Sequence, residues 1–331
     1  MSRLLCAVIA IFWLSCVAGA ADAAAQPATL PPLRLEQVAS GIHVLRAPGF
    51  EVDAANAGFV SNIGVIEDGP GLVLIGSGTS ARFARHLQDF VQRTLGKPVV
   101  LVVNLHGGGD HVLGNGVFEA QGIPVVAHRE TDRFIRASCQ GCVDRLTSAL
   151  GAAMMSDTEP AAATLLMDGT GRLPIVSRRL RLIHPGHTFQ PGACALYDEA
   201  TGVLFAGELA AHGYLPDLYN GREVQWRDAL VELRALHPGV VVPSRGAPAD
   251  ASMLAETHRY LAELVRQTDA LFEQGASLQE VTQTLDIPGF EDWYGYAQWH
   301  RRNVHFAYLH REQREFSPAA APDTRGSARL P

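Results

Sequence analysis

The sequence predicts a layered α/β sandwich. Three observations lead there. Apolar runs of strand length alternate with amphipathic stretches of helix length, the alternation occurs twice in succession, and residues suited to chemistry sit just past the ends of the apolar runs. No self-similarity at the periods of a solenoid interrupts this order.

Gly41 to Arg46 and Asn62 to Glu67 read as strands, and Asp68-Gly-Pro-Gly71 is the turn that returns the chain through Leu72 to Ile75. Thr79 to Leu95 is a helix. Phe83, Leu87, Phe90 and Val91 recur along one face and Gly96 follows its end. Val99 to Val103 is wholly apolar, as a strand buried on both faces should be, and a glycine-rich loop follows. Pro124 to Ala127 is a further short strand, and the mixed segment Glu130 to Met155 is helical. The second half opens with a strand from Arg179 to Ile183 and the run His184-Pro-Gly-His187. Ala193 to Tyr197 and Val203 to Ala206 form a hairpin about Asp198-Glu-Ala-Thr-Gly202. A helix from Val224 to Leu236 leads to a buried strand, Val240 to Pro243, that stops at Ser244-Arg-Gly246. Helices from about Ala251 to Gln274, Leu278 to Leu285 and Trp293 to Arg314 complete the chain. The last is aromatic-rich, as core packing or a substrate wall would require.

The N-terminus reads as a cleaved signal peptide over residues 1–25. Arg3 precedes an apolar run from Leu4 to Ala18, and small-x-small sites follow with no basic stop signal. The run is short for a span, so the expectation is a periplasmic or secreted protein of bacterial type with no stable membrane span after cleavage. Residues 26–316 are expected to form one domain with a helical extension from about 250 to 316, and residues 317–331, rich in Pro, Ala and Gly, a disordered tail. The net charge of -7 is scattered, which argues against nucleic acid as a partner. Cleavage leaves Cys139, Cys142 and Cys194. In an oxidising compartment Cys139-Gln-Gly-Cys142 is open to a local disulfide, two free thiols or redox catalysis, although no strand-to-helix start suited to a redox motif surrounds it.

The chemistry concentrates in Asn104-Leu-His-Gly-Gly-Gly-Asp-His-Val-Leu-Gly-Asn115, where His106, Asp110 and His111 follow a buried strand. Imidazoles and a carboxylate at this spacing suit a metal that polarises water. Gly108 stands where a third histidine would complete the set. His43, His86, His237, His258 and His310 read as ordinary solvated or satisfied histidines, and His128, His184 and His212 as neighbours of the site or surface groups.

The His-x-x-x-Asp-His loop, the Pro-Gly-His-Thr run ending in His187 and Thr188, and Val203-Leu-Phe-Ala-Gly-Glu208 together resemble the metallo-β-lactamase superfamily over roughly Ile42 to Gly246. Asp53-Ala-Ala-Asn56 and Trp299-His-Arg-Arg-Asn-Val-His-Phe-Ala-Tyr308 further resemble exported zinc hydrolases linked to quinoprotein dehydrogenase systems. The resemblance implies a four-layer αββα sandwich and metal ligands at His106, Asp110, His111, His187 and Glu208. With a metal-bound water in place, Asp110 or His111 would orient that water or move its proton.

Departures from the family pattern change that expectation. Gly108 and Gly76 stand where the family has a ligand histidine and a supporting aspartate. Glu208 replaces a bridging aspartate, and Arg245 replaces the last histidine. Glycine has no donor atom, and a guanidinium cannot ligate and repels a cation. Arg245 is therefore expected as a metal surrogate paired with Asp110 or Glu208, leaving a single zinc on His106, His187 and Glu208 with water in the open position. Two readings follow. One is an exported hydrolase that cleaves an ester, thioester, lactone or amide of a small-molecule substrate with zinc-activated water. The other is a non-catalytic accessory protein serving a periplasmic quinoprotein dehydrogenase or cytochrome system.

Overall fold

Alternation within single strands decides how the layers stack. In the computed structural model, which describes residues 30–317, Leu72 and Leu74 of one strand face a core shared with a helix, while Val73 and Ile75 face a second core between two sheets. The expected signal peptide, and the expected tail apart from residue 317, lie outside the described residues.

In chain order the first half runs β1 (Leu35–Ala39), β2 (Ile42–Leu45), β3 (Ile63–Asp68), β4 (Gly71–Ile75), α1 (Ala81–Leu95), β5 (Val99–Asn104), α2 (Gly109–Val112), α3 (Asn115–Glu119), β6 (Val125–His128), α4 (Arg129–Leu150) and β7 (Leu165–Met167). The second half runs β8 (Gly171–Arg172), β9 (Leu180–Ile183), β10 (Ala195–Asp198), β11 (Val203–Gly207), α5 (Glu223–Arg234), β12 (Val240–Pro243), α6 (Ser252–Glu273), α7 (Leu278–Thr284) and α8 (Tyr296–Phe316).

Among the described residues β1 to β7 form a seven-stranded sheet in sequence order, and the second sheet has the order β12-β11-β10-β9-β8. The first sheet is antiparallel from β1 to β4 and parallel from β4 to β7. In the second, only β11 and β12 run parallel. Three cores separate four layers. Phe83, Leu87 and Val91 of α1 pack on Val65, Leu74 and Val102. Ile42, Val73, Leu101 and Val103 meet Leu182, Leu196, Phe205 and Val242 between the sheets. Beyond the second sheet, Leu204 and Val241 pack against Trp226 of α5, Tyr260 and Leu264 of α6, and Val304 of α8. The architecture is the expected αββα sandwich.

Local chemistry fixes the ends. Ser80 is extended and its side chain accepts the Phe83 N–H, and Gly96 closes α1 in the left-handed conformation at φ 67°. The glycine-rich segment after β5, expected as loop, contains the short helix α2. Strands β1, β7 and β8 were not foreseen, since each is short or mixed in polarity. None of the described helices is long and apolar enough to cross a membrane.

Candidate functional site

Strand ends from both sheets converge on one buried cluster. β5 delivers His106 and, through α2, Asp110 and His111. Glu208 and Arg245 each lie just past the ends of the parallel neighbours β11 and β12. The strand exits are tied together, because Ser244 N–H donates to the Gly207 carbonyl at 2.8 Å and Cys194 N–H to the Leu105 carbonyl at 2.8 Å.

Arg245 is the centre of this cluster. Its Nη2 donates to Asp110 Oδ2 at 2.9 Å, its Nε to Glu208 Oε1 at 3.3 Å, and its Nη1 to the Phe50 carbonyl at 3.3 Å. The Tyr214 ring lies 5.2 Å from the guanidinium carbon, and the Tyr214 hydroxyl donates to Glu208 Oε2 at 3.4 Å. The side chains of Arg245, Asp110 and Glu208 are 16%, 14% and 4% exposed, so solvent screens these charges little. Burial alone would weaken the guanidinium's charge, but Tyr214, Asp110 and Glu208 outweigh it and push its pKa further up.

The two loop histidines stack on each other with ring centroids 4.3 Å apart. Gly108 N–H donates to His106 Nδ1 at 3.1 Å, and His106 Nε2 lies 3.4 Å from Ser244 Oγ. Leu105 N–H donates to His111 Nε2 at 3.1 Å. That bond uses the His111 Nε2 lone pair and leaves the proton on Nδ1, a buried atom with no partner among the described residues. Burial holds both imidazoles below their ordinary pKa, for His106 against the opposing pull of Glu208 and Asp110, and for His111 reinforced by His106.

The glycines that replace expected site residues are tightly enclosed. A Cβ on Gly76, which has φ +88°, would lie 2.7 Å from His111 Nδ1. One on Gly108 would lie 2.8 Å from Asp110 Oδ1 and 2.9 Å from His106 Nδ1. The His111 ring thus fills the space in front of position 76.

The structure brings His106, Asp110, His111, Glu208 and Arg245 together. His187 is not assembled with them. Its Nε2 donates to the Asn220 carbonyl at 2.7 Å, and the charged groups acting on it are Arg222 and His310. Of the set expected to hold a single zinc, His106 and Glu208 lie in the cluster and His187 lies beside Asn220. A catalytic zinc takes three protein ligands and a water. Among the described residues no group of three or more His, Cys, Asp or Glu side chains is placed to hold a metal ion. The donor chemistry gives the reason. The His111 Nε2 lone pair is engaged, Arg245 binds both carboxylates, and His187 faces elsewhere. The residues as folded do not fit zinc.

Sequence reasoning missed Tyr214, Ser244 and the Phe50 carbonyl. Ser244 adjoins Arg245 and was legible as a neighbour. Tyr214 and Phe50 reach the site through loops whose spacing carries no motif.

The two-sheet sandwich carries a cluster of histidines and carboxylates past its strand ends. The sequence profile of the metallo-beta-lactamase superfamily matches residues 56–245, and the chain belongs to that superfamily. Its members are in general metal-dependent hydrolases that typically bind zinc, and membership supports a hydrolase of that general kind. Solved structures agree on the fold. A metallo-beta-lactamase from Pontibacter korlensis is 20% identical, with a TM-score of 0.57, over 70% of this chain and 99% of its own. TMB-1 is 16% identical, with a TM-score of 0.56, over 71% and 99%. The DIM-1 metallo-beta-lactamase is 18% identical, with a TM-score of 0.54, over 71% and 98%. No curated protein matches the chain.

Proposed function

We propose that this protein keeps the superfamily's hydrolase scaffold but has exchanged the metal centre for an internal ion-pair cluster, and that it works as an exported binding or accessory protein for a small molecule. The observation that carries this reading is Arg245 bridging Asp110 and Glu208. A buried Glu208 beside a mostly covered Asp110 would be costly without a cation, and a fixed guanidinium supplies the compensating charge that a metal otherwise brings. A cation entering beside it meets repulsion and has to displace hydrogen bonds already made. Burial disfavours the charged form of both imidazoles. Export is supported by the N-terminal sequence. A periplasmic quinoprotein dehydrogenase or cytochrome system as partner is supported by the sequence resemblance around residues 53–56 and 299–308.

A second reading is a hydrolase with one zinc, cleaving an ester, thioester, lactone or amide. It is favoured by superfamily membership and by His106 Nε2, whose contact with Ser244 Oγ is long at 3.4 Å. Elemental analysis of protein purified in the presence of zinc separates the two. The expected result is far less than one zinc per chain and no chelator-sensitive hydrolysis of a panel of those bonds. About one zinc per chain, with chelator-sensitive hydrolysis lost in His106→Ala, overturns the binding reading in favour of the enzyme.

A further inference from the structure

Beneath the site loop α4 carries two cysteines that the cluster above does not use. Cys139 and Cys142 are separate thiols with their sulfurs 3.0 Å apart, and both residues are buried. Cys142 donates to Cys139 Sγ, and Cys139 donates in turn to the Gly107 carbonyl at 3.2 Å. Gly107 lies between β5 and α2, one residue after His106. The contact continues at Gly109, where an added Cβ would lie 2.8 Å from Cys142 Cβ. A hydrogen-bond chain thus runs from Cys142 through Cys139 to the backbone of the segment that holds His106, Asp110 and His111.

We propose that Cys139 and Cys142 form a reversible disulfide with small-molecule disulfides as oxidant, and that closing it releases the Cys139–Gly107 bond and loosens the site loop. A disulfide bond is about 2.0 Å long, so the sulfurs need approach by only about 1 Å. The i, i+3 spacing places both on one face of α4. The exchange is balanced. The Cys142 thiolate attacks one sulfur of RSSR, forms a mixed disulfide and expels RS⁻. That thiolate takes the Cys139 proton and leaves as RSH. The Cys139 thiolate then attacks the Cys142 sulfur, closes the internal bond and expels the second RS⁻, which is protonated by solvent. Cys142 is the natural first nucleophile. When Cys142 ionises it can no longer donate, and the Cys139 S–H turns from the Gly107 carbonyl to the new thiolate. That bond, with help from the Arg145 charge and against burial, brings the Cys142 pKa down to about 7. Once the bond has formed, Cys139 has no S–H to give to the Gly107 carbonyl.

The test uses the whole protein in oxidised or reduced glutathione buffer, followed by denaturing alkylation and trypsin. Arg136 and Arg145 flank a peptide, residues 137–145, that contains both cysteines. The oxidised sample should give this peptide unalkylated and lighter by two hydrogens, and the reduced sample should give it doubly alkylated. Cys139→Ser should stop at a mixed disulfide on Cys142. Amide exchange over residues 105–113 should be faster in the oxidised protein. Double alkylation from both buffers overturns the disulfide. A disulfide with unchanged exchange over residues 105–113 overturns its coupling to the site.

Discussion

A single guanidinium holds the two site carboxylates in place. Arg245 reaches Asp110, Glu208 and the Phe50 carbonyl at once, and few side chains other than arginine present donors in three directions. Arg245→Ala leaves two carboxylates in a poorly solvated site. Breaking a buried pair this way costs about 3–5 kcal/mol. Urea unfolding should show a loss of that order, and adding Glu208→Gln to the variant should recover part of it. A loss near zero would mean that solvent already screens the cluster. Arg245 as a partner of the carboxylates was legible from the chemistry of Pro-Ser-Arg-Gly, because a cation was needed beside Asp110 and Glu208. The place of His187 was not. Its loop position depends on a hydrogen bond to the Asn220 carbonyl, a contact across 33 residues with no sequence pattern.

At the scale of elements, long periodic segments were legible to within a few residues. Thr79 to Leu95 became Ala81–Leu95, and Leu278 to Leu285 became Leu278–Thr284. Their apolar faces carry a clear period and their caps are read directly. Strands such as Gly171–Arg172 were hidden because two residues carry no period, and pairing with β9 alone makes them strand. The hairpin of β10 and β11 offers a test of electrostatics. Asp198, at the end of β10, is fully buried. It accepts from Arg178 Nε and Nη2, both at 2.9 Å, and from the Thr201 N–H and hydroxyl. Burial alone would raise its pKa, but these bonds and the Arg178 charge hold it below the ordinary value. A folded pKa below the unfolded value of about 3.9 gives stability that is complete above that pH and is lost as pH falls through the folded value. Asp198→Asn should lower stability at pH 7 by about 3 kcal/mol, as loss of a buried pair does. It should also flatten the dependence below about pH 4, followed as the urea midpoint against pH. An unchanged acid limb would place the acid sensitivity elsewhere.

Across the whole molecule, the superfamily profile ends at residue 245, yet α6, α7 and α8 contribute to the same core as β9 to β12. Asn303 of α8 fastens this addition. Its Oδ1 accepts from Leu218 N–H at 3.1 Å, and its Nδ2 donates to the Pro216 carbonyl at 2.7 Å and to Tyr260 Oη at 3.0 Å. Asn303→Ala strands a buried donor and a buried acceptor, a loss of about 2–4 kcal/mol. If the helical addition and the sandwich unfold as one unit, tryptophan fluorescence and far-ultraviolet circular dichroism should shift together. A separate early transition would show instead that the helices unfold on their own.

The close packing at Gly76 and Gly108 also constrains which sequences lie one step away from this one. An aspartate at 76 meets the His111 ring, and a histidine at 108 meets Asp110 and the His106 ring, so either change introduced alone collides with a residue the site needs. The order of substitutions therefore matters. His111 has to leave its bond to Leu105 before position 76 can carry a side chain, and the loop has to open before position 108 can. Either replacement made alone should lower stability, because the His111 ring or the Asp110 and His106 side chains have to shift to admit it. Side chains can enter this neighbourhood only in an order that the positions of His111, His106 and Asp110 set.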